Sequence, residues 1–292
     1  MAHPQAVEVP KPGGEGLMPD IKLIALDLDG TLLDSRKHLS AGNLAALEQA
    51  AAQGIHIVPA TGRFYAGMPE AVRALPFLRY MIAVNGAQVC DLRTGDVLYR
   101  AEIPCAQALE VLDDLAALPG IYDCYVDGCG YMSRTQYERA ADYIREPGIL
   151  QMVLETRRPV EDLAAFLAAG ARSPQKIQMF FRDMDRRALE LQRLPKRFPE
   201  LVITTALTNN VEINAWGAQK GTALEMLCGH LGLECAQAMA IGDGLNDRSM
   251  LRAAGIGVAM GNAPAEVQRE ADFVTAANDA DGVAAAIRRF CL

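Results

Sequence analysis

Two carboxylates separated by one residue, Asp27 and Asp29, close the apolar run that begins at Ile21, and Gly30-Thr31 follows them. Side chains two residues apart on an extended chain point the same way. Like charges so placed repel unless a cation sits between them. Mg²⁺ suits such a pair, because it takes oxygen ligands and binds phosphates. The plainer alternative is a strand ending in an Asp-Gly turn, with both acids solvated. A second acidic cluster, Gly242-Asp243-Gly244-Leu245-Asn246-Asp247, follows the apolar run Ala238–Ile241. Thr61-Gly62-Arg63 follows a third run, Ile55–Val58, and Lys220 opens a helical segment. If these runs are strands of one parallel sheet, their carboxyl ends share an edge, where open α/β sheets place their chemistry. Acids, a divalent cation, a hydroxyl, a glycine amide and an ammonium together describe phosphoryl transfer. The cations neutralise non-bridging oxygens while a carboxylate attacks in line to give an aspartyl-phosphate.

The elements that must hold these residues can be read in order. Ser40 is placed as the N-cap of a helix with an apolar stripe at Leu44, Leu47 and Ala51, stopped at Gly54. A helix is expected to run on from Arg63 through Val72, and Tyr80–Val84 to form a third strand closed by Asn85-Gly86. Three strands alternating with helices predict a parallel, doubly wound sheet. From Ala87 the pattern changes: a hairpin around Arg93–Asp96, a helix over Ala106–Leu118, strands at Tyr122–Val126 and Lys176–Phe181, and a helix over Arg186–Arg197. Leu201–Ile213 reads as two strands joined near Asn209-Asn210. The βα rhythm resumes with Lys220–Leu231, Ala238–Ile241, Ile256–Ala259 and Phe273–Thr275, and Asp281 starts a last helix. The predicted organisation is a flexible tail over 1–20, a core over 21–86 and 215–292, and an inserted α+β domain over 87–214.

Composition narrows the partners. A net charge of −8 and a pI near 5.1 argue against capture of nucleic acid or an anionic membrane surface. No apolar run reaches the 18 or so residues of a membrane span, and residues 1–20, with four prolines and three glycines, do not form a signal peptide. The seven cysteines lack a Cys-x-x-Cys pair and read as reduced thiols of a cytoplasmic protein. Trp216 is expected to pack where the inserted segment joins the core.

Asp27-Leu28-Asp29-Gly30-Thr31, Thr61-Gly62, Lys220 and Gly242–Asp247 resemble, in order, the four motifs of the haloacid dehalogenase superfamily. Asn85-Gly86-Ala87 and Glu212-Ile213-Asn214 ahead of Lys220-Gly221-Thr222 are similar to its Cof-type branch, which carries a large C2-type (IIB) cap. The resemblance covers about residues 21 to 290. It implies a Rossmann-like core with a cap domain. It makes Asp27 the nucleophile and a metal ligand, and Asp29 the general acid and base that offers its backbone carbonyl to Mg²⁺. Thr61, the amide of Gly62 and Lys220 would hold the phosphoryl group. Asp243 would complete the metal shell, supported by Asn246 and Asp247. Arg63 would contact substrate or form a surface ion pair, and Asn85-Gly86 would face the cap or simply turn the chain. One departure is Ala218-Gln219, where relatives carry a small hydroxyl residue beside the lysine, which bears on helix capping there. The implied activity is Mg²⁺-dependent hydrolysis of small phosphorylated metabolites, such as sugar or cofactor phosphates. A phosphotransferase or mutase, or a non-catalytic metabolite-binding protein, stands as the alternative, and monomer and homodimer both stay open.

Overall fold

The computed structural model describes residues 20–205 and 207–292; the expected N-terminal tail, but for Asp20, lies outside them. The described residues form two compact units. One comprises the described residues up to Gly62, Met68–Tyr99 and Gln219–Leu292, and the other comprises Arg63–Gly67 and the described residues of Arg100–Ala218.

In chain order the strands are β1 (Leu23–Leu26), β2 (His56–Pro59), β3 (Tyr80–Ala83), β4 (Gln88–Asp91) and β5 (Val97–Arg100). The second unit supplies β6 (Gly120–Val126), β7 (Cys129–Ser133), β8 (Arg157–Val160), β9 (Lys176–Phe181), β10 (Leu201–Thr204) and β11 (Asn210–Ala215). The chain then returns for β12 (Ala238–Gly242), β13 (Ile256–Ala259) and β14 (Phe273–Val274).

The first unit is built on a five-stranded sheet of order β14-β13-β12-β1-β2, with every pairing parallel. Central β1 is covered on both faces and all four of its residues are fully buried, which explains its unbroken apolar sequence. Each buried leucine or isoleucine there contributes roughly 1.5–3 kcal/mol. Leu26 lies in register with Ile241 on one side and Pro59 on the other, so the chain leaves three neighbouring strands at one edge, through Asp27, Ala60 and Gly242. Ser40 caps the helix Ala41–Ala52 as expected, accepting from the Asn43 amide at 3.1 Å. Asn43 is itself buried. It donates to the Leu32 carbonyl at 3.3 Å and accepts from the Ala284 amide at 2.9 Å, tying the loop after Thr31 to the terminal helix Gly282–Phe290.

β3 meets the parallel sheet over a short stretch only, through a parallel bridge between Ala60 and Ile82. Along its length it is paired antiparallel with β4, in the three-stranded sheet β3-β4-β5. The cause is local. Val84, Asn85 and Gly86 all take positive φ (51°, 57° and 93°), and three left-handed residues in succession fold the chain straight back onto its own strand. The helix expected from Arg63 to Val72 is reduced to single turns at Tyr65–Gly67 and Glu70–Arg73, because Gly67 and Pro69 interrupt it.

The second unit carries a six-stranded sheet of order β10-β11-β9-β6-β7-β8, antiparallel except for the β7–β8 pair. Its helices include Cys105–Ala116, Pro147–Thr156 and Met184–Arg197. Trp216, expected to pack where the inserted segment joins the core, is 68% exposed. All seven cysteines are free thiols. Among the described residues no helix is long and apolar enough to cross a membrane.

Candidate active site

Four of the residues singled out from the sequence meet at the carboxyl edge of the parallel sheet. Lys220 opens the helix Lys220–Leu231 and is fully buried. Its Nζ donates to Asp27 Oδ1 and to Asp247 Oδ1, both at 2.6 Å. Oxygens of Asp27, Asp243 and Asp247 lie within 4.8 Å of one another. Asp247 also fixes its own turn: its Oδ2 accepts from the backbone amides of Asp243 (3.0 Å) and Gly244 (2.7 Å). The Asn246 side chain donates to Asn85 Oδ1 at 3.1 Å. The helix at Lys220 begins at Gln219 without a side-chain cap. Its start is held instead by Gly86: a Cβ on that residue would lie 2.3 Å from the Gln219 carbonyl, so only glycine lets the two backbones meet.

Asp29 is placed differently. Its Oδ1 accepts from Lys37 Nζ at 2.8 Å, and it is about one-third exposed. Thr61 is buried at the end of β2 (1% exposed), where its amide donates to the Ile82 carbonyl at 2.9 Å and its carbonyl accepts from the Asn85 amide at 3.0 Å. Gly62 lies against Asn85, whose Oδ1 would be 2.8 Å from a Cβ at that position. Arg63 belongs to the second unit, where its guanidinium donates to the Gly67 carbonyl at 2.9 Å.

The cluster carries more negative charge than its one ammonium balances. Burial pushes the Asp27 carboxyl up to about 8; Lys220 pulls against this, while Asp247 and Asp243 add to it. Burial also pushes Asp243 up to about 6, opposed by the Thr31 hydroxyl and Lys220 and helped by Asp247 and Asp29. Burial alone would lower the Lys220 ammonium, but Asp247 and Asp27 hold it well above its ordinary range. Carboxylates raised by one another gain from a cation among them. An all-oxygen donor set is what a hard ion such as Mg²⁺ takes. Gly30, at φ 88°, keeps the approach open: a Cβ there would fall 2.4 Å from Asp243 Oδ2. The residues present fit the ion.

The family model described as haloacid dehalogenase-like hydrolase matches residues 24–287. The chain belongs to that family. Phosphatase YwpJ of Bacillus subtilis (strain 168) is 30% identical over 279 residues, with 90% of this chain and 98% of that protein covered. The 5-amino-6-(5-phospho-D-ribitylamino)uracil phosphatase YcsE of the same organism is 31% identical, with 94% and 97% covered. Among solved structures, BT1666 of Bacteroides thetaiotaomicron, described among the phosphatases of the haloalkanoate superfamily, aligns with a TM-score of 0.78. It is 30% identical and covers 95% of this chain and 99% of its own. This haloacid dehalogenase-like hydrolase is a phosphomonoester hydrolase.

Three site contacts of this hydrolase had no assigned role in the sequence. Thr31 Oγ1, fully buried, donates to Asp243 Oδ1 at 2.8 Å; its place directly after the acid pair was the available signal. Asn262 Nδ2 donates to the Gly30 carbonyl at 2.8 Å. Lys37 reaches Asp29 from a polar loop with no periodicity to mark it.

Proposed function

We propose that this chain is a Mg²⁺-dependent phosphatase of small phosphorylated metabolites that works through an aspartyl-phosphate on Asp27. The observation that carries the reading is the surplus of carboxyl groups around buried Asp27, with Lys220 bonded to it at 2.6 Å. Asp27 and Asp243 would hold Mg²⁺ with the Asp29 carbonyl, and Asp247 and Asn246 keep the neighbouring turn in place. Bound there, the ion supplies positive charge against the phosphoryl oxygens.

The residues divide the remaining work. The Thr61 hydroxyl, the Gly62 amide and the Lys220 ammonium hold the phosphoryl group in line with Asp27. A carboxylate oxygen of Asp27 bonds to phosphorus as the bond to the leaving alcohol breaks, and Asp29 gives the departing oxygen its proton. Asp29 then takes a proton from water; the water oxygen attacks phosphorus, the bond to Asp27 breaks, and inorganic phosphate leaves. Asn85 and Gly86 act here by placing Gly62 and Lys220. The name of YcsE supports a small phosphorylated metabolite as substrate. Seven free thiols suit the cytoplasm.

The test is phosphate release from para-nitrophenyl phosphate, glucose 6-phosphate, ribose 5-phosphate and pyridoxal 5′-phosphate, with Mg²⁺ and with EDTA. Release should require Mg²⁺ and fall by at least about 10³-fold in Asp27→Asn. Full activity in Asp27→Asn would remove the nucleophile from this account.

A further inference from the structure

The loop after Asp29 is more heavily built than a link between strand and helix requires. Asp29 bridges to Leu33 and Leu33 to Leu39, which closes residues 34–38 into a tight hairpin. The Asp34 amide donates to the His38 carbonyl and the Lys37 amide to the Asp34 carbonyl, both at 2.9 Å. Asp34 Oδ1 accepts from the amides of Arg36 (2.9 Å) and His38 (2.7 Å). Asp279 braces the hairpin from outside by accepting from the Ser35 amide at 2.8 Å.

Within this frame Lys37 takes φ 66°, the left-handed region where glycine is at ease and a long L side chain is strained. The side chain is 54% exposed, so burial does not explain the lysine, yet its ammonium lies 2.8 Å from Asp29 Oδ1. An exposed ion pair adds little to stability, and glycine would serve the turn better. A braced, strained position that carries a cation to one particular carboxylate is the mark of a functional constraint.

We propose that Lys37 is a positioning residue for Asp29, fixing the carboxyl in the orientation from which it passes a proton to the leaving oxygen. This rests on the reading of Asp29 as general acid and base given above. Lys37→Gly removes the ammonium and relieves the turn, so a purely structural lysine would leave activity unchanged.

The experiment measures kcat/KM with Mg²⁺ for wild type, Lys37→Gly, Lys37→Arg and Asp29→Asn. The substrates are para-nitrophenyl phosphate and the fastest of the three alkyl phosphates above. This constant reports phosphoryl transfer to Asp27, in which an alkoxide needs a proton and a nitrophenolate does not. In Lys37→Gly, kcat/KM should fall about tenfold or more on the alkyl phosphate and under about threefold on the aryl one. Its unfolding temperature should stay the same or rise, and Lys37→Arg should recover most of the alkyl activity. Equal values on both substrates, unchanged or lowered alike, would overturn the proposal. Asp29→Asn separates the two ideas. If it loses the alkyl activity while Lys37→Gly keeps it, only the role of Lys37 fails. If Asp29→Asn itself matches wild type, the acid–base reading fails and the inference with it.

Discussion

In the first unit, three carboxylates, buried Asp27 and Asp247 and half-buried Asp243, gather around one ammonium, Lys220. In the second unit, Arg157 Nε donates to Asp123 Oδ2 and Lys176 Nζ to Glu212 Oε1, each at 2.8 Å, with all four side chains almost wholly buried. Arg157 also donates to the Tyr125 hydroxyl at 2.6 Å, and Gln178 to Asp123 at 2.9 Å. Strands β6, β9 and β11 place Asp123, Gln178 and Glu212 opposite one another, on one face of the sheet. The second network matches each anion with a cation; the first sets three carboxyl groups against one ammonium. Buried charge therefore does not by itself distinguish a reacting centre from a scaffold; imbalance among the buried charges does.

The comparison can be broken most sharply in the balanced network. Arg157→Met should cost about 3–5 kcal/mol in denaturant unfolding, because it strands the Asp123 carboxylate. Replacing both partners, Arg157→Met with Asp123→Leu, should recover most of that loss. A double variant as unstable as the single one would mean that the pair is valued for more than charge balance.

A smaller effect sharpens the account of the unbalanced cluster. Asp27 is raised to about 8 and Asp243 to about 6, so at neutral pH a bound cation must displace a proton from Asp27, while Asp243 is already largely ionised. Mg²⁺ affinity, followed by calorimetry, should then tighten by about tenfold per pH unit for each proton displaced, between pH 6 and 8. Affinity that stays flat across this window would show that Asp27 is already ionised as well.

Much of this was legible in the chain. A central strand covered on both faces must be apolar throughout, so β1 and the acids that follow it stood out, and Ser40 carried its capping role in its side chain. Lys176–Phe181 and the turn at Asn209-Asn210 were read for similar local reasons. What escaped depends on distant partners or unusual backbone. A β-branched Val84 gives no warning that it takes φ 51°, and that turn decides which strand pairs with β3. Lys37 reaches Asp29 from a hairpin whose Ser35 amide is held by Asp279, 244 residues further along the chain. The Arg157–Asp123 pair joins residues 34 apart on non-consecutive strands, and no sequence spacing marks it.

The most direct test of the central claim is the unfolding temperature of wild type and Asp27→Asn at pH 7, each in EDTA and in Mg²⁺. An acid with a raised folded-state pKa costs no stability below its unfolded value near 4. The cost grows as pH rises to the folded value, here about 8. Removing that acid should stabilise the metal-free protein by roughly 1–3 kcal/mol. Mg²⁺ should raise the unfolding temperature of wild type clearly and that of Asp27→Asn far less. If Asp27→Asn is instead less stable in EDTA, and Mg²⁺ moves neither protein, the cluster is a balanced structural network like that of the second unit, and the account is wrong.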